Sequence, residues 1–205
     1  MTIWFATGNT GKRKELAAIL PDHTIRIPAD EGIPFDPEET GATFAENALI
    51  KARELQRLVS KPNTPVPVIA DDSGICVDAL DGRPGLYSSR YGSEEGRKLE
   101  SADRNALLLK ELGDNPRRSA RFVCAMVLLF SDDRFFLVQE TLEGEIIREE
   151  RGSANPVGSG GFGFDPILYL PHYGRTVAEL PEEEKNRISH RGKAGQAIAK
   201  FLDGQ

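Results

Sequence analysis

Residues 2–20 read TIWFATGNTGKRKELAAIL, and this stretch decides the fold class. The first six residues are largely apolar and predict a short strand at 2–7, while glycines at both ends of 8–11 predict a turn. From 12 to 20 the apolar residues Leu16 and Ile19 keep helical spacing, which predicts a helix. A strand, a turn and a helix in this order indicate an α/β fold.

Apolar periodicity and turn residues predict the remaining elements. The predicted strands are 24–27, 66–70, 75–77, 120–130, 135–141 and 145–148, and residues 28–41 are predicted to be a loop. A Thr43/Glu46 capping box predicts the start of a helix that ends before residue 61. Further helices are predicted at 97–112, 181–187 and 192–203. The strands at 120–130 and 135–141 read as a hairpin, so we expect a mixed sheet.

Composition restricts the function. The chain has 205 residues, with 26 Lys and Arg against 32 Asp and Glu, a net charge of −6 that disfavours a general nucleic-acid coat protein. We expect a single domain, 1–205. The two cysteines, Cys76 and Cys124, lie in apolar stretches and predict buried, reduced thiols. With neither a signal peptide nor an apolar run of about 20 residues, we expect a cytoplasmic protein and no membrane partner.

The turn from Thr7 to Lys12 stands where a strand gives way to a helix. Free backbone amides and the positive end of the helix favour phosphate at such a place, and Lys12 adds a cation. The spacing is not that of a Walker A loop, because only two residues separate Gly8 from Gly11 and Arg13 follows the lysine. An ordinary strand-to-helix turn is the alternative.

Asp71 and Asp72 follow the apolar run 66–70, so we expect both carboxylates at a strand end. Oxygen ligands of this kind suit Mg²⁺, and one carboxylate can accept a proton from water. The acidic pair Glu38 and Glu39 can supply a further metal oxygen. The alternatives are a turn at 71–74 that bonds its own backbone, and solvated charges at 38–39.

Two later segments complete the candidate chemistry. The loop 160–166 alternates glycine with Phe162 and Phe164 and can stack a base, or it can bury two core phenylalanines. The segment 184–193 concentrates cations and one of three histidines, or it is a solvated helix face. Taken together, the four segments favour metal-assisted attack on the phosphate chain of a nucleotide.

The sequence resembles the inosine/xanthosine triphosphate pyrophosphatases. The resemblance covers nearly the whole chain in order and rests on five motifs. They are Thr7-Gly8-Asn9 with Lys12 and Glu15; Glu38 to Gly41 with Phe44, Glu46 to Ala48 and Lys51-Ala52; Ala70 to Gly74 with Pro84-Gly85 and Ser89 to Tyr91; Gly161 to Pro166; and Ala178 to Leu180 with Glu184-Lys185 and Ser189 to Arg191.

The resemblance implies an elongated, two-lobed α/β fold around a mixed sheet, with the active site in the cleft between the lobes. It also implies a homodimer and Mg²⁺-dependent hydrolysis of ITP, dITP or XTP to the monophosphate and pyrophosphate. Asp72 is then the proton acceptor and a metal ligand, Glu38 is the second ligand, and Lys12 assists catalysis. The implied substrate contacts are Thr7, Gly8, Asn9, Thr10, Gly11, Lys12, Ser73, Phe162, Gly163, Phe164, Asp165, Lys185, His190 and Arg191.

The chemistry of the base suggests how selection works. Hypoxanthine and xanthine carry a 6-keto acceptor where adenine carries an amino donor, so a donor from His190 or Arg191 favours the former. With His190 protonated, we expect it to join the cations Lys12, Lys185 and Arg191 around the triphosphate. Two other functions stay open: a less selective pyrophosphatase resembling the septum-inhibition-related family, and a nucleotide-binding sensor with little turnover.

Overall fold

The computed structural model describes residues 1–62, 64–94, 99–152 and 162–204. Within these segments the strands are β1 (Thr2–Phe5), β2 (Thr24–Arg26), β3 (Val68–Val77), β4 (Ser119–Ser131), β5 (Arg134–Ile146), β6 (Leu168–Leu170) and β7 (Arg175–Thr176). The α-helices are α1 (Thr10–Ile19), α2 (Phe44–Val59), α3 (Ser101–Leu112), α4 (Glu182–Ile188) and α5 (His190–Asp203). None of the described helices combines the length and apolar character that a membrane span requires.

One seven-stranded sheet, in the order β2-β1-β3-β4-β5-β6-β7, organises the chain. The β2, β1 and β3 strands are parallel, and every later pairing is antiparallel. The prediction of an α/β fold with a mixed sheet is therefore confirmed. Helices α1 and α5 each begin two residues before the predicted start, and α3 begins at Ser101, while residues 97 and 98 of its predicted range lie outside the described residues.

The capping box predicted for α2 is present in altered form. The Thr43 hydroxyl accepts from the Glu46 amide at 3.1 Å, and the Glu46 carboxylate accepts from the Ala42 amide at 2.6 Å, one residue before the N-cap. Both bonds satisfy amides at the start of the helix that have no intrahelical partner. The helix ends at Val59, shortly before Pro62, as the sequence predicts.

The predicted hairpin of β4 and β5 is confirmed, but the predicted third strand at 145–148 is wrong. Residues Glu145 and Ile146 are the end of β5, and Glu145 pairs with Ser119 of β4. Gly144, which interrupts the sequence pattern, stays inside the strand. A Cβ at Gly144 would lie 2.5 Å from the Tyr169 carbonyl oxygen, so the glycine permits the close approach of β6.

The β3 strand differs most from the prediction. Asp71 to Gly74 do not form a turn between two strands; they pair continuously with Met126 to Val123 of β4. The ladder to this apolar neighbour satisfies the backbone groups and overrides the turn-like composition. On the other side, β1 pairs with β3 only as far as Ile69. The two aspartates therefore lie beyond the end of β1 and inside β3.

Alternation along β3 directs the two aspartates to opposite faces of the sheet. Ile69 packs in the core that α1 and α5 cover, while Val68 and Ala70 pack in the core that α2 covers. Farther along the strand, Ile75 and Val77 belong to a third core with α3. The aspartates thus lie along β3 between the first two cores and the third.

Candidate active site

The turn before α1 is capped by its own side chains. Asn9 Oδ1 accepts from the backbone amides of Gly11 at 2.8 Å and Lys12 at 3.2 Å, and Thr7 Oγ1 accepts from the Asn9 amide at 3.1 Å. The amides of Gly11 and Lys12, expected to be free for phosphate, are therefore occupied, because Asn9 is the N-cap. Donors at this turn that these bonds do not use include the Asn9 Nδ2 group, the Thr7 hydroxyl and the Lys12 ammonium.

Asp71 is the centre of a buried ion cluster between α1 and α5. Lys12 Nζ lies 2.9 Å from Asp71 Oδ1 and 2.8 Å from Oδ2, and Arg191 Nε lies 3.3 Å from Oδ2. The Ser73 hydroxyl donates to Oδ2 at 3.1 Å, and Arg191 Nη1 lies 2.7 Å from Glu15 Oε2. Burial alone would raise the pKa of Asp71, but Lys12, Arg191 and Lys51 hold it well below its usual range.

Asp72 lies in a second cluster, on the α2 face. Lys51 Nζ lies 2.9 Å from Asp72 Oδ1 and 2.9 Å from Glu39 Oε1, and Asn47 Nδ2 donates to Asp72 Oδ2 at 3.4 Å. Burial raises the pKa of the Asp72 carboxyl, and the Lys51 ammonium opposes that rise. A carboxylate with a raised pKa and one amine neighbour is a suitable proton acceptor.

The two consecutive aspartates therefore do not form the adjacent carboxylate pair that the sequence suggests. They belong to one strand without a turn, so one carboxylate contacts α1 and α5 and the other contacts α2. In the described part of the chain, no three His, Cys, Asp or Glu side chains are grouped as a metal site. The role of Asp72 as proton acceptor stays a prediction.

The acidic loop contributes Glu39 rather than Glu38 to this centre. Glu38 lines a cavity of about 790 Å³ on the outer side of α2, together with Ile50 and Arg53. Glu39, the next residue, turns inward to Lys51 and thus to Asp72. Because both carboxylates contact one ammonium, their oxygens converge on the position of a single cation.

A cluster of aromatic rings packs around His190 at the start of α5. The His190 ring centroid lies 5.0 Å from that of Phe122 and 5.6 Å from that of Phe162, and the two phenylalanine rings are 4.8 Å apart in an edge-to-face arrangement. His190 is 2% exposed, and neither ring nitrogen has a hydrogen-bond partner among the described residues. Buried polar atoms usually have hydrogen-bond partners, so these two nitrogens can bond to a ligand.

Asp165 and Lys185 form a buried ion pair in the same region. Lys185 Nζ lies 2.7 Å from Asp165 Oδ2, and the Phe162 amide donates to the same oxygen at 3.0 Å. Asp165 Oδ1 has no partner among the described residues. Burial raises the pKa of Asp165, and Lys185 opposes the rise. This oxygen can accept a hydrogen bond from a purine edge, and a neutral His190 ring can donate one through its protonated nitrogen and accept one through the other.

Three predicted contacts differ from expectation. Burial, followed by the charges of Arg191 and Lys185, lowers the pKa of His190 well below its ordinary 6.5, so the imidazole is neutral rather than cationic. Arg191 is engaged by Glu15 and Asp71. Phe164 is 1% exposed and packs into the third core. Of the predicted glycine loop 160–166, residues 160 and 161 lie outside the described residues.

Three polar residues that complete the two clusters, Glu15, Asn47 and Lys51, stood in the quoted motifs without an assigned role, whereas Glu39 was already a candidate beside Glu38. A signal was present for two of the three. Asn47 and Lys51 are four residues apart on the apolar side of α2, beside the buried Ala48 and Ala52. Polar side chains on the buried stripe of an amphipathic helix require partners in the core, and Asp72 provides one.

Comparison with protein families gives one match that covers almost the whole chain. A model of the Ham1 family matches residues 3–201. The dITP/XTP pyrophosphatase of Treponema denticola is 50% identical over 204 residues, covering 100% of both chains. The dITP/XTP pyrophosphatase of Escherichia coli K12 is 43% identical over 201 residues, covering 97% of this chain and 94% of the relative.

Solved structures agree with the sequence comparison. The Ham1 protein of Staphylococcus aureus superimposes with a TM-score of 0.84 at 37% identity, covering 100% of this chain and 99% of the other. A HAM1 protein from Coxiella burnetii gives a TM-score of 0.86 at 37% identity, with 100% of both chains covered. The seven-stranded architecture is thus the fold of these proteins.

Proposed function

The chain belongs to the Ham1 family, and from this we propose that it is an enzyme that hydrolyses dITP, ITP and XTP to the monophosphate and pyrophosphate. Its similarity to the two pyrophosphatases extends over 100% and 94% of their lengths, so the proposal concerns the whole chain. Removal of these non-standard purine nucleotides would cleanse the nucleotide pool.

One observation carries the proposal. His190, in the aromatic cluster, and Arg191, which shares the Asp71 carboxylate with Lys12, are consecutive residues at the start of α5. Aromatic rings suited to contact a base therefore adjoin a lysine suited to phosphate. A nucleotide carries a base and a phosphate chain in one molecule, whereas two unrelated ligands would not need adjoining sites.

We propose that Asp72 accepts the proton of the attacking water. The oxygen of that water forms a bond to the α-phosphorus, and the bond between this phosphorus and the bridging oxygen to the β-phosphate breaks. Pyrophosphate leaves with the bridging oxygen. Lys12, Asn9 Nδ2 and the Thr7 hydroxyl are the donors that we assign to the phosphates, where they stabilise the charge that develops on the leaving group.

We assign the base to the aromatic cluster of Phe122, Phe162 and His190. A neutral imidazole has one N–H donor, which we assign to the 6-keto oxygen of hypoxanthine or xanthine. Adenine presents a 6-amino donor at this position, so the amino group and the His190 N–H would face each other without an acceptor between them. A buried donor without a partner costs about 1–3 kcal/mol, which disfavours adenine. Asp165 and Lys185 are the proposed contacts to the remainder of the ring edge.

Mg²⁺ is the cofactor that we propose. The donor set fits a hard cation, because Asp72 and Glu39 place oxygens around one ammonium, and Glu38 is the neighbouring acid. When bound, the ion would supply positive charge to the phosphate oxygens and lower the pKa of a bound water. Asp72 with Glu39, or with the Glu38 that the resemblance implies, would hold it.

A substrate panel with product identification tests the function. We expect pyrophosphate release from dITP, ITP and XTP to exceed release from dATP, dGTP and dTTP at equal concentration, and to stop on chelation and resume with Mg²⁺. A preference for a pyrimidine nucleotide would favour the less selective pyrophosphatase. Release of orthophosphate would move the attack to the γ-phosphorus, and tight binding without turnover would favour a sensor.

A homodimer and a cytoplasmic location complete the proposal. The dimer rests on the family resemblance, and light scattering at micromolar concentration tests it by giving twice the 22.5 kDa chain mass. The location is consistent with Cys76 and Cys124, which are both free thiols, as in a reducing compartment.

A further inference from the structure

We infer that Asp71 is a positioning residue that fixes the phosphate-binding Lys12 relative to the aromatic cluster. The inference rests on the proposed function and assigns a task to the aspartate that precedes the proton acceptor. Asp71 is 1% exposed, so its carboxylate contacts protein groups. Those groups come from α1, from α5 and from β3 itself.

The contacts use the carboxylate from several directions. Lys12 donates to both oxygens, which occupies two of its three N–H groups and leaves one for a phosphate. Ser73 and Arg191 donate to Oδ2. The Lys12 side chain is 23% exposed, so its head group is held from the buried side while it remains accessible from the other.

A set of ion pairs links α1 and α5. Arg191 bonds Asp71 through Nε and Glu15 through Nη1, and Glu15 lies three residues after Lys12 on α1. Each helix is thus tied to the other directly and through β3. Since His190 precedes Arg191, a shift of the aromatic cluster moves the group that shares Asp71 with Lys12.

A positioning role of Asp71 and an effect of its negative charge alone predict opposite changes in polyphosphate binding. Lys12 and Arg191 balance Asp71 and Glu15 in the cluster, so removal of the Asp71 charge makes the site more positive by one unit. If Asp71 only adjusted the local potential, its loss would tighten the binding of a polyphosphate. If Asp71 positions Lys12, its replacement by asparagine weakens polyphosphate binding. The asparagine amide has only one acceptor oxygen, and its NH₂ group would point toward the cations Lys12 and Arg191.

Asp71→Asn is the test, with two independent readouts. In calorimetry with inorganic tripolyphosphate, we expect the dissociation constant to rise about tenfold. In steady-state assays we expect kcat/KM for dITP to fall about 100-fold, the usual effect of misplacing a binding group by about 1 Å. The ratio of kcat/KM for dITP to that for dATP should fall at least about fivefold, since base and phosphate contacts are coupled.

Asp78→Asn is the matched control, because Asp78 pairs with Arg121 at 2.9 Å outside the site. It should leave all three quantities at the wild-type values. Unchanged or tighter tripolyphosphate binding in Asp71→Asn would overturn the inference. So would an unchanged selectivity ratio with a lowered kcat/KM, which indicates a merely structural role.

A second experiment decides the matter if Asp71→Asn does not fold. Lys12→Met, Arg191→Met and the double variant are compared by urea unfolding. Because both cations share one carboxylate, we expect their effects on the free energy of unfolding to be non-additive, and additive effects would overturn the inference. Should wild-type protein release no pyrophosphate from dITP, the proposed function fails, whereas the calorimetry and the unfolding cycle still decide the role of Asp71.

Discussion

Lys51 extends from α2 to the carboxylate of Asp72 on β3, with its Nζ 2.9 Å from Oδ1. The pKa of Lys51 is raised: burial acts to lower it, but the charges of Asp72, Asp71 and Glu39 prevail. The lysine is therefore a permanent cation beside the proposed proton acceptor. This relationship gives Asp72 a defined orientation and a controlled pKa, and the first predictions follow from it.

Substitution of Asp72 by asparagine should remove the proton acceptor while keeping the shape of the side chain. We expect kcat for dITP to fall about 10³-fold, within the range for loss of a general base, with little change in dITP binding. Pyrophosphate release measures the first quantity and calorimetry the second. Unchanged turnover would remove Asp72 from its assigned role.

Substitution of Lys51 by methionine should alter the pH dependence. Lys51 lowers the pKa of Asp72, so its loss raises that pKa further, and the carboxylate becomes protonated at a higher pH. The acid limb of the kcat/KM profile for dITP should then move to higher pH. Lys61→Met, an exposed lysine beyond the end of α2, is the control and should leave the limb in place. A limb that does not move would mean that Asp72 does not determine it.

Paired substitutions at Glu38 and Glu39 identify the second metal ligand. Glu39 contacts the ammonium that also contacts Asp72, whereas Glu38 lines the cavity on the outer side of α2. We expect Glu39→Gln to raise the Mg²⁺ concentration for half-maximal activity about tenfold or more, the scale of a lost metal contact, and Glu38→Gln to raise it less. The reverse order would favour Glu38 as the ligand.

His190 should make the fold sensitive to acid. Its pKa is lowered in the folded state, so below about 6.5 the unfolded chain binds a proton that the folded chain does not, and stability falls as pH decreases. The loss approaches about 1.4 kcal/mol per pH unit for one such group. His190→Phe keeps an aromatic ring and should show a shallower decrease in melting temperature between pH 7 and 5. Equal slopes would contradict a neutral, buried His190.

Much of the fold could be predicted from local sequence. The strand, turn and helix of 2–20, the capping signal at Thr43 and the apolar hairpin all depend on short-range patterns, and the structure has them. The error at Asp71 to Gly74 has a long-range cause. Two aspartates, a serine and a glycine resemble a turn, but pairing with β4, some 50 residues later, extends the strand through them.

The sequence indicated candidate residues for the site but not the contacts between them. Motifs pointed to Lys12, Asp72, His190 and Arg191, yet no motif shows that Lys12 and Arg191 share one carboxylate. Nor does spacing alone separate Glu38 from Glu39, since that choice depends on how an irregular loop lies against α2. The charge state of His190 likewise follows from burial, which only the packed structure provides.

The continuous pairing of β3 with β4 has a consequence for insertions and deletions. A strand alternates its side chains, so loss or gain of one residue between Ile69 and Asp71 would exchange the faces that the two aspartates occupy. Asp72 would then face Lys12 and Arg191, and Asp71 would face Lys51. Two residues added together would restore the alternation but move both carboxylates about 7 Å along the sheet. An insertion or deletion of even one residue in this part of β3 would therefore disrupt the site, whereas the loops between strands do not have this constraint.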